Sequence, residues 1–326
     1  VIISVTFHKE QSMHMSDALV SVPTALSFWG ITAVTSAYAS SKIKQEYHED
    51  KSIPFMGVMG AFVFALQMVN FAIPATGSSG HFAGGFLLAM LLGPNAAFLV
   101  MASVLFVQAL FFADGGLLAL GCNIFNMGFI PAYVIYPLFK ALTEKNKFFI
   151  WLGGALSLLL GSVMVSMQTV LSGISELPFS KMLMLMVGIH ILIGIFEGLI
   201  TIGAYQLINS YKLQTVNNNN TVKPYFGLGI VTVIIASIFS LFASSKPDGL
   251  EWSIYRILGR ESEPESVKGI FHEMASVVQN KISILPDYNF GGGESFLGTS
   301  IAGITGAVLT LIVAASIGYA VNKMSK

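Results

Sequence analysis

Residues Phe82 to Phe112 read FAGGFLLAMLLGPNAAFLVMASVLFVQALFF, and how this stretch is divided decides the fold. Crossing a bilayer about 30 Å thick takes roughly 20 apolar residues of helix. The run therefore holds either one kinked span or a short helix and a longer one meeting at Gly93-Pro94. Proline breaks a helix by removing a hydrogen-bond donor, and glycine permits a tight turn, so two helices are expected, 82–92 and 95–112. Seven more apolar segments flank them, near 19–40, 54–74, 117–140, 148–172, 182–210, 225–243 and 297–321.

Composition agrees. Charged residues are 10% of the 326 and apolar ones 54%, against about 25% and 45–50% in soluble domains. The expectation is an all-α polytopic membrane protein: a first domain of seven helices over 13–210, a polar linker over 211–224, and an accessory domain over 225–326. The linker carries Asn217 to Asn220 in a row. The accessory domain is two helices joined by a loop over 244–296, with amphipathic pieces near 250–260 and 265–283 and a Gly291-Gly-Gly293 end. Lys plus Arg equals Asp plus Glu at 17 each, which argues against a nucleic-acid surface. One cysteine, Cys122, excludes a disulfide framework and thiolate clusters.

Lysine placement orients the chain. With the N-terminus outside, the cytoplasmic side receives Lys42, Lys44, Lys51, Lys140, Lys145, Lys147, Lys212, Lys223, Lys323 and Lys326, while short outer segments carry Lys9 and Lys181. The C-terminus is then cytoplasmic, and Met13-His14, the 75–81 loop and Ala113-Asp-Gly-Gly116 share the outer face.

That co-location matters for chemistry. Residues 1–12 lack the cationic start and cleavage site of a signal peptide. They read as an untranslated or removable extension, with translation beginning at Met13. A chain starting there offers an amine, the amide nitrogen of His14 and its ring Nδ1 as fused chelate donors, a set that suits Ni(II), Co(II) or Cu(II) in a square plane. His81, in the glycine-rich stretch Gly77 to Gly85, would supply the fourth nitrogen. The alternative is an ordinary start and an ordinary loop histidine.

Gln67 and Asn70, three apart before the outer loop, either orient those imidazoles or join helices, and Asp114 and Asn123 invite the same two readings. His190 and Glu197 are ionisable groups inside a span, seven residues apart, serving either as a conduit for metal or protons or as a buried structural network. Gly57, Ala61 and Ala65 form a small-residue ridge that serves internal packing or docks a membrane partner. No Gly-x-x-x-x-Gly-Lys-Ser/Thr loop, Gly-x-Ser-x-Gly elbow or His-Glu-x-x-His motif occurs, so transport energy must come from a partner or an ion gradient.

Together these blocks resemble a known family. Met13-His14 with Asp17, Gln67-Met-Val-Asn-Phe-Ala-Ile-Pro74, Ser79-Gly-His-Phe-Ala-Gly-Gly85, Leu92-Gly-Pro-Asn95, Gln108 to Gly116, Asn123-Ile-Phe-Asn-Met-Gly128 and His190 to Thr201 are similar to the substrate-capture component of nickel/cobalt energy-coupling-factor transporters, CbiM/NikM. Pro247-Asp-Gly-Leu-Glu251 and Pro286-Asp-Tyr288 resemble its accessory subunit, giving the fused nickel form. The resemblance implies Ni(II) or Co(II) as transported substrate, held by Met13, His14 and His81. It implies a transmembrane coupling protein and paired ATPases as partners, no nucleotide bound by this chain, no enzymatic activity of its own, and a prokaryotic cell membrane. It places the Gly57/Ala61/Ala65 ridge where related capture proteins meet the coupling protein. If residues 1–12 persist, Met13 has a peptide nitrogen and the terminal chelate is lost. The competing functions are a secondary metal/proton antiporter using His190 and Glu197, and an intramembrane enzyme.

Overall fold

A computed structural model describes residues 14–46, 52–211, 222–261, 264, 269–288 and 296–323. Residues 1–12, Met13, most of the linker and Gly291-Gly-Gly293 lie outside the described residues. The chain is a multi-pass, all-α membrane protein. In hydrocarbon no water satisfies backbone groups, so each crossing segment closes its own hydrogen bonds as helix.

The helices run in order α1 (Val22–Glu46), α2 (Ser52–Gln67), α3 (Gly85–Phe111), α4 (Leu120–Thr143), α5 (Lys147–Ser172), α6 (Phe179–Ser210), α7 (Val222–Ser237), α8 (Gly249–Leu258), α9 (Ile270–Ile282) and α10 (Phe296–Lys323). Among the described residues, six helical segments are long and apolar enough to cross a membrane, rather than the nine expected: α3, α4, α5, α6, the stretch Tyr225–Phe242 that begins in α7, and α10. α1 is long but carries polar residues along its length.

α2 is shorter than expected. It stops at Gln67, and the chain enters a small antiparallel pairing, β1 (Phe71–Ala72) with β2 (Ser79–Gly80). Pro74 disfavours helical geometry at Ile73, and Phe71 and Ala72 are already extended in their pairing with β2.

Within Phe82 to Phe112 the helical run is Gly85–Phe111, broken at Gly93, whose φ of 74° and ψ of 166° only glycine adopts readily. Its ends meet. Gln67 Nε2 donates to the Ala83 carbonyl at 2.8 Å, and Gln67 Oε1 accepts from Gln108 Nε2 at 2.9 Å. A straight helix would hold residues 85 and 108 about 35 Å apart, so the chain doubles back at Gly93-Pro94. The first leg, 85–92, is about 12 Å long and too short to cross.

Glycine sets the closest packing. On α6, Gly194 and Gly198 sit four apart against Ala155 and Trp151 of α5, and a side chain at Gly198 would strike the Trp151 carbonyl. The Gly57/Ala61/Ala65 ridge of α2 lies inside the chain's own packing. Ala61 and Ala65 are buried, and Gly57 abuts Leu311 and Ala315 of α10, while Gly306 of α10 receives the ring of Phe64. Falling α10 numbers against rising α2 numbers make the two helices antiparallel. The ridge therefore serves internal packing, since the C-terminal hairpin supplies a helix that fits it. α10 is held to α7 by Ser300 Oγ donating to the Ser237 carbonyl at 2.6 Å, with Gly303 pressed on Ala236.

Candidate metal centre

His14 is placed by the segment that follows it. Met15 N–H donates to Asn123 Oδ1 at 3.1 Å, and Asn123 Nδ2 returns a bond to the Met15 carbonyl at 3.1 Å. The same carbonyl accepts from Gly116 N at 3.1 Å. Asp17 Oδ1 accepts from Ala119 N at 2.9 Å at the start of the turn into α4. Burial raises the Asp17 carboxyl above the usual carboxylate range, opposed by its backbone bonds. Gly115, at φ +81°, passes the His14 Cβ, and a side chain on Gly116 would strike the Asp17 carboxylate and backbone nitrogen. Gly116→Ala is expected to dislodge this segment and weaken metal binding by about tenfold or more, as loss of a supporting contact does at other metal sites. Titration of Ni(II) into the variant checks it; an unchanged affinity would mean the segment accommodates a methyl.

The two histidines come together. Their ring centroids are 5.5 Å apart at 82°, with His14 4% and His81 9% exposed. A chain of amides assigns the His14 tautomer. The Ala83 carbonyl can only accept, so Gln67 presents its amide nitrogen there and its oxygen to Gln108; Gln108 then presents its oxygen to His14. His14 Nε2 donates to Gln108 Oε1 at 3.0 Å. The lone pair is on Nδ1, the nitrogen that a chelate with the residue's own amide requires. Asp114 Oδ2 lies 3.8 Å from His14 Nε2 and accepts from Tyr288 Oη at 2.6 Å. Burial first, then the Asp114 charge, raise the Tyr288 phenol well above its usual range, so it stays a donor.

His81 has the opposite tautomer. Its Nδ1 donates to the Phe82 carbonyl at 3.3 Å, which in the neutral ring puts the lone pair on Nε2, and Nε2 is 4.0 Å from Asp248 Oδ2. The loop after it is fixed by Glu197, whose two carboxylate oxygens accept from Ala83 N at 2.7 Å and Gly84 N at 3.0 Å. Among the described residues no three His, Cys, Asp or Glu side chains gather as a metal cage. The side-chain donors on offer are two imidazoles, whose second nitrogens are each oriented by an oxygen.

The other expected residues divide. Asn123 and Asp114 flank the site; Gln67 acts at one remove, through Gln108. Asn70 does not belong to it: it lies past the end of α2, off any shared helical face with Gln67, and its backbone carbonyl accepts from Ser244 N at 2.8 Å. His190 Nδ1 donates to the Met186 carbonyl at 2.8 Å and packs beside Gly249. Glu197 and His190 hold different backbone groups and form no relay to each other among the described hydrogen bonds. Three contributors were not singled out from sequence: Gln108, Asp248 and Tyr288. Gln108 was visible as a polar residue in an apolar run, its partner 94 residues away; the others lie in quoted motifs, Tyr288 with its partner 174 residues away and Asp248 facing His81.

The loop between α7 and α10 covers this end of the bundle. Ser79 N donates to the Pro247 carbonyl at 2.8 Å, and Ser79 Oγ to the Lys246 carbonyl at 2.7 Å. Trp252 Nε1 reaches the Thr76 carbonyl at 3.0 Å. From α9, His272 Nε2 donates to the Val20 carbonyl at 3.0 Å and Gln279 Nε2 to the Gly115 carbonyl at 2.8 Å. Both histidine-bearing segments are thus clasped from the C-terminal side. A cavity of about 80 Å³ runs from the two histidines past Asn126, Ser157 and Glu197.

A family model described as the cobalt uptake substrate-specific transmembrane region, CbiM, matches residues 14–215. The chain belongs to the CbiM family. A PDGLE domain matches residues 223–323, so this CbiM chain carries that domain fused behind it. It is 29% identical over 324 residues to a putative fused nickel transport protein NikMN of Archaeoglobus fulgidus, covering 96% of this chain and 99% of the relative. A probable fused nickel transport protein LarMN of Lactiplantibacillus plantarum is 28% identical, covering 92% and 96%. The crystal structure of a truncated transition metal transporter superposes with a TM-score of 0.54 at 29% identity, covering 61% of this chain and 99% of that one. In this CbiM chain the histidines, Gln108, Asp114, Asn123 and Glu197 fall in the first matched region, and Asp248 and Tyr288 in the second.

Proposed function

We propose that this chain is the substrate-capture subunit of an ATP-driven energy-coupling-factor importer for Ni(II) or Co(II). The observation that carries the reading is the His14–His81 pair, 5.5 Å apart, with complementary tautomers set by Gln108 and the Phe82 carbonyl. In protein whose chain begins at Met13, the metal is held in a plane by the amine of Met13, the ionised amide and Nδ1 of His14, and Nε2 of His81. A strong in-plane nitrogen field suits nickel more naturally than cobalt. In this reading residues 13–210 form the capture domain and 225–326 the accessory domain. The N-terminus is outside and the C-terminus cytoplasmic, and a transmembrane coupling protein with paired ATPases drives uptake. The names of the relatives support a metal substrate, and a sequence without a P-loop supports ATP hydrolysis elsewhere.

Binding must release a proton from the His14 amide and any carried by the amine or rings, so affinity is expected to fall as pH falls. Calorimetric titration of Ni(II) and Co(II) into the purified chain in buffers of different ionisation enthalpy measures both affinity and proton release. Tight binding with no proton released would remove the amide ligand. Reconstitution separates this function from an antiporter: uptake that needs the coupling protein and ATPases supports capture, and uptake that collapses a proton gradient without them supports exchange.

A further inference from the structure

We infer that Asp248, from the C-terminal hairpin, is the counter-charge of the bound metal, so that the accessory segment contributes a residue to the metal site itself. The inference rests on the capture reading above and extends it to a residue outside the four nitrogens.

Asp248 does two things with its two oxygens. It opens α8, where Oδ1 accepts from Glu251 N at 2.8 Å and the Glu251 carboxylate faces the Asp248 N–H, a capping box. Its Oδ2 faces His81 Nε2 at 4.0 Å. In the neutral ring that nitrogen carries the lone pair, because Nδ1 donates to the Phe82 carbonyl. A metal on a histidine nitrogen sits about 2 Å from it, so an ion on Nε2 lies within roughly 6 Å of the carboxylate. Asp114 is placed differently. It faces Nε2 of His14, the nitrogen away from the chelate, and holds the Tyr288 hydroxyl.

Charge explains why a carboxylate belongs there. A divalent ion bound to one ionised amide and three neutral nitrogens keeps a net charge of +1. The side chains around it are buried: His14, His81 and Asp248 are 4%, 9% and 6% exposed. An isolated charge in such a place is unfavourable unless an opposite one stands near. Position also argues for it, since the turn that carries Asp248 is over-determined. The carbonyls of Lys246 and Pro247 are held by Ser79, and Gly249 has no room for a side chain against His190 and Ile193. Capping α8 alone needs none of this closeness to His81.

The test uses the chain from Met13 to Lys326, in detergent, with Ni(II) chloride as the only ligand. Asp248→Asn and Asp248→Ser both remove the charge and both keep a good helix cap. Each is expected to weaken Ni(II) affinity roughly ten- to a hundredfold. The metal-free variants should unfold at the parent's temperature, and the d–d absorption band of bound Ni(II) should stay where it is, because the four nitrogens are untouched. Parent-like affinity in either variant overturns the inference. A shifted band, or a lowered unfolding temperature in both variants, also overturns it, by showing that Asp248 acts through the fold of the loop. The capture reading has its own check in the same series: a parent that fails to bind Ni(II), or a His81→Ala variant that binds as tightly as the parent, brings down both.

Discussion

Protein whose chain begins at Met13 is expected to bind Ni(II) more than about a hundredfold more tightly than the same protein with one residue added ahead of it. Losing a partner that merely orients a ligand costs about 10–100-fold, and the added residue removes a ligand outright. It converts the Met13 amine, which has a lone pair, into a peptide nitrogen, whose lone pair is delocalised into the carbonyl. The remaining donors cannot compensate by moving. His14 Nε2 is engaged by Gln108 at 3.0 Å, and the backbone behind it is bonded on both sides by Asn123. Unless the Met13 nitrogen ionises as a second amide, only the His14 amide, its Nδ1 and His81 Nε2 remain, and recruiting that amide releases one more proton, so the loss is expected to be largest at low pH. The comparison is a Ni(II) titration of the two proteins in the same detergent, with the Ni(II) absorption band as a second reading. Equal affinity, or an identical band, would end the role of the amine.

The sequence shows unevenly which parts of this architecture matter. Long apolar runs in 148–172, 182–210 and 297–321 announce helices because length and apolarity act locally, and α5, α6 and α10 lie there. Gly93-Pro94 marks a reversal for the same local reason. What composition could not show is where an apolar stretch stops being helix: residues 68–74 are as hydrophobic as a span, yet Pro74 and the β1–β2 pairing turn them into a loop. The small-residue ridge on α2 shows another limit. Spacing reveals that something packs closely there, and only the tertiary structure reveals that the occupant is α10 of the same chain. The site divides likewise. His14 and His81 were candidates from chelate chemistry and a glycine-rich loop, with an ordinary start and loop histidine as the alternative, and the structure sets their rings 5.5 Å apart. Gln108, Tyr288 and Asp248 matter through partners far along the chain, and no spacing rule connects Tyr288 to Asp114 across 174 residues.

Glu197→Gln is expected to weaken Ni(II) binding about tenfold to a hundredfold while leaving uptake, once normalised to bound metal, unchanged. The reason lies in what the carboxylate holds. Its two oxygens accept from the consecutive N–H groups of Ala83 and Gly84, two and three residues past His81, and the side chain is 1% exposed. Glutamine keeps one acceptor and turns an NH₂ toward the other N–H, donor against donor. Leaving a buried donor unpaired costs about 1–3 kcal/mol, and each 1.4 kcal/mol is a factor of ten in an equilibrium. The strain falls on the loop that aims His81 Nε2, so it is read as affinity. A conduit role predicts the reverse: a proton carrier made neutral would stop transport and leave equilibrium binding as it was. Measuring Kd and uptake on the same variant therefore separates the two, since the loop-holding carboxylate changes the first and the carrier changes the second. Intact binding with abolished uptake would return Glu197 to the transport path.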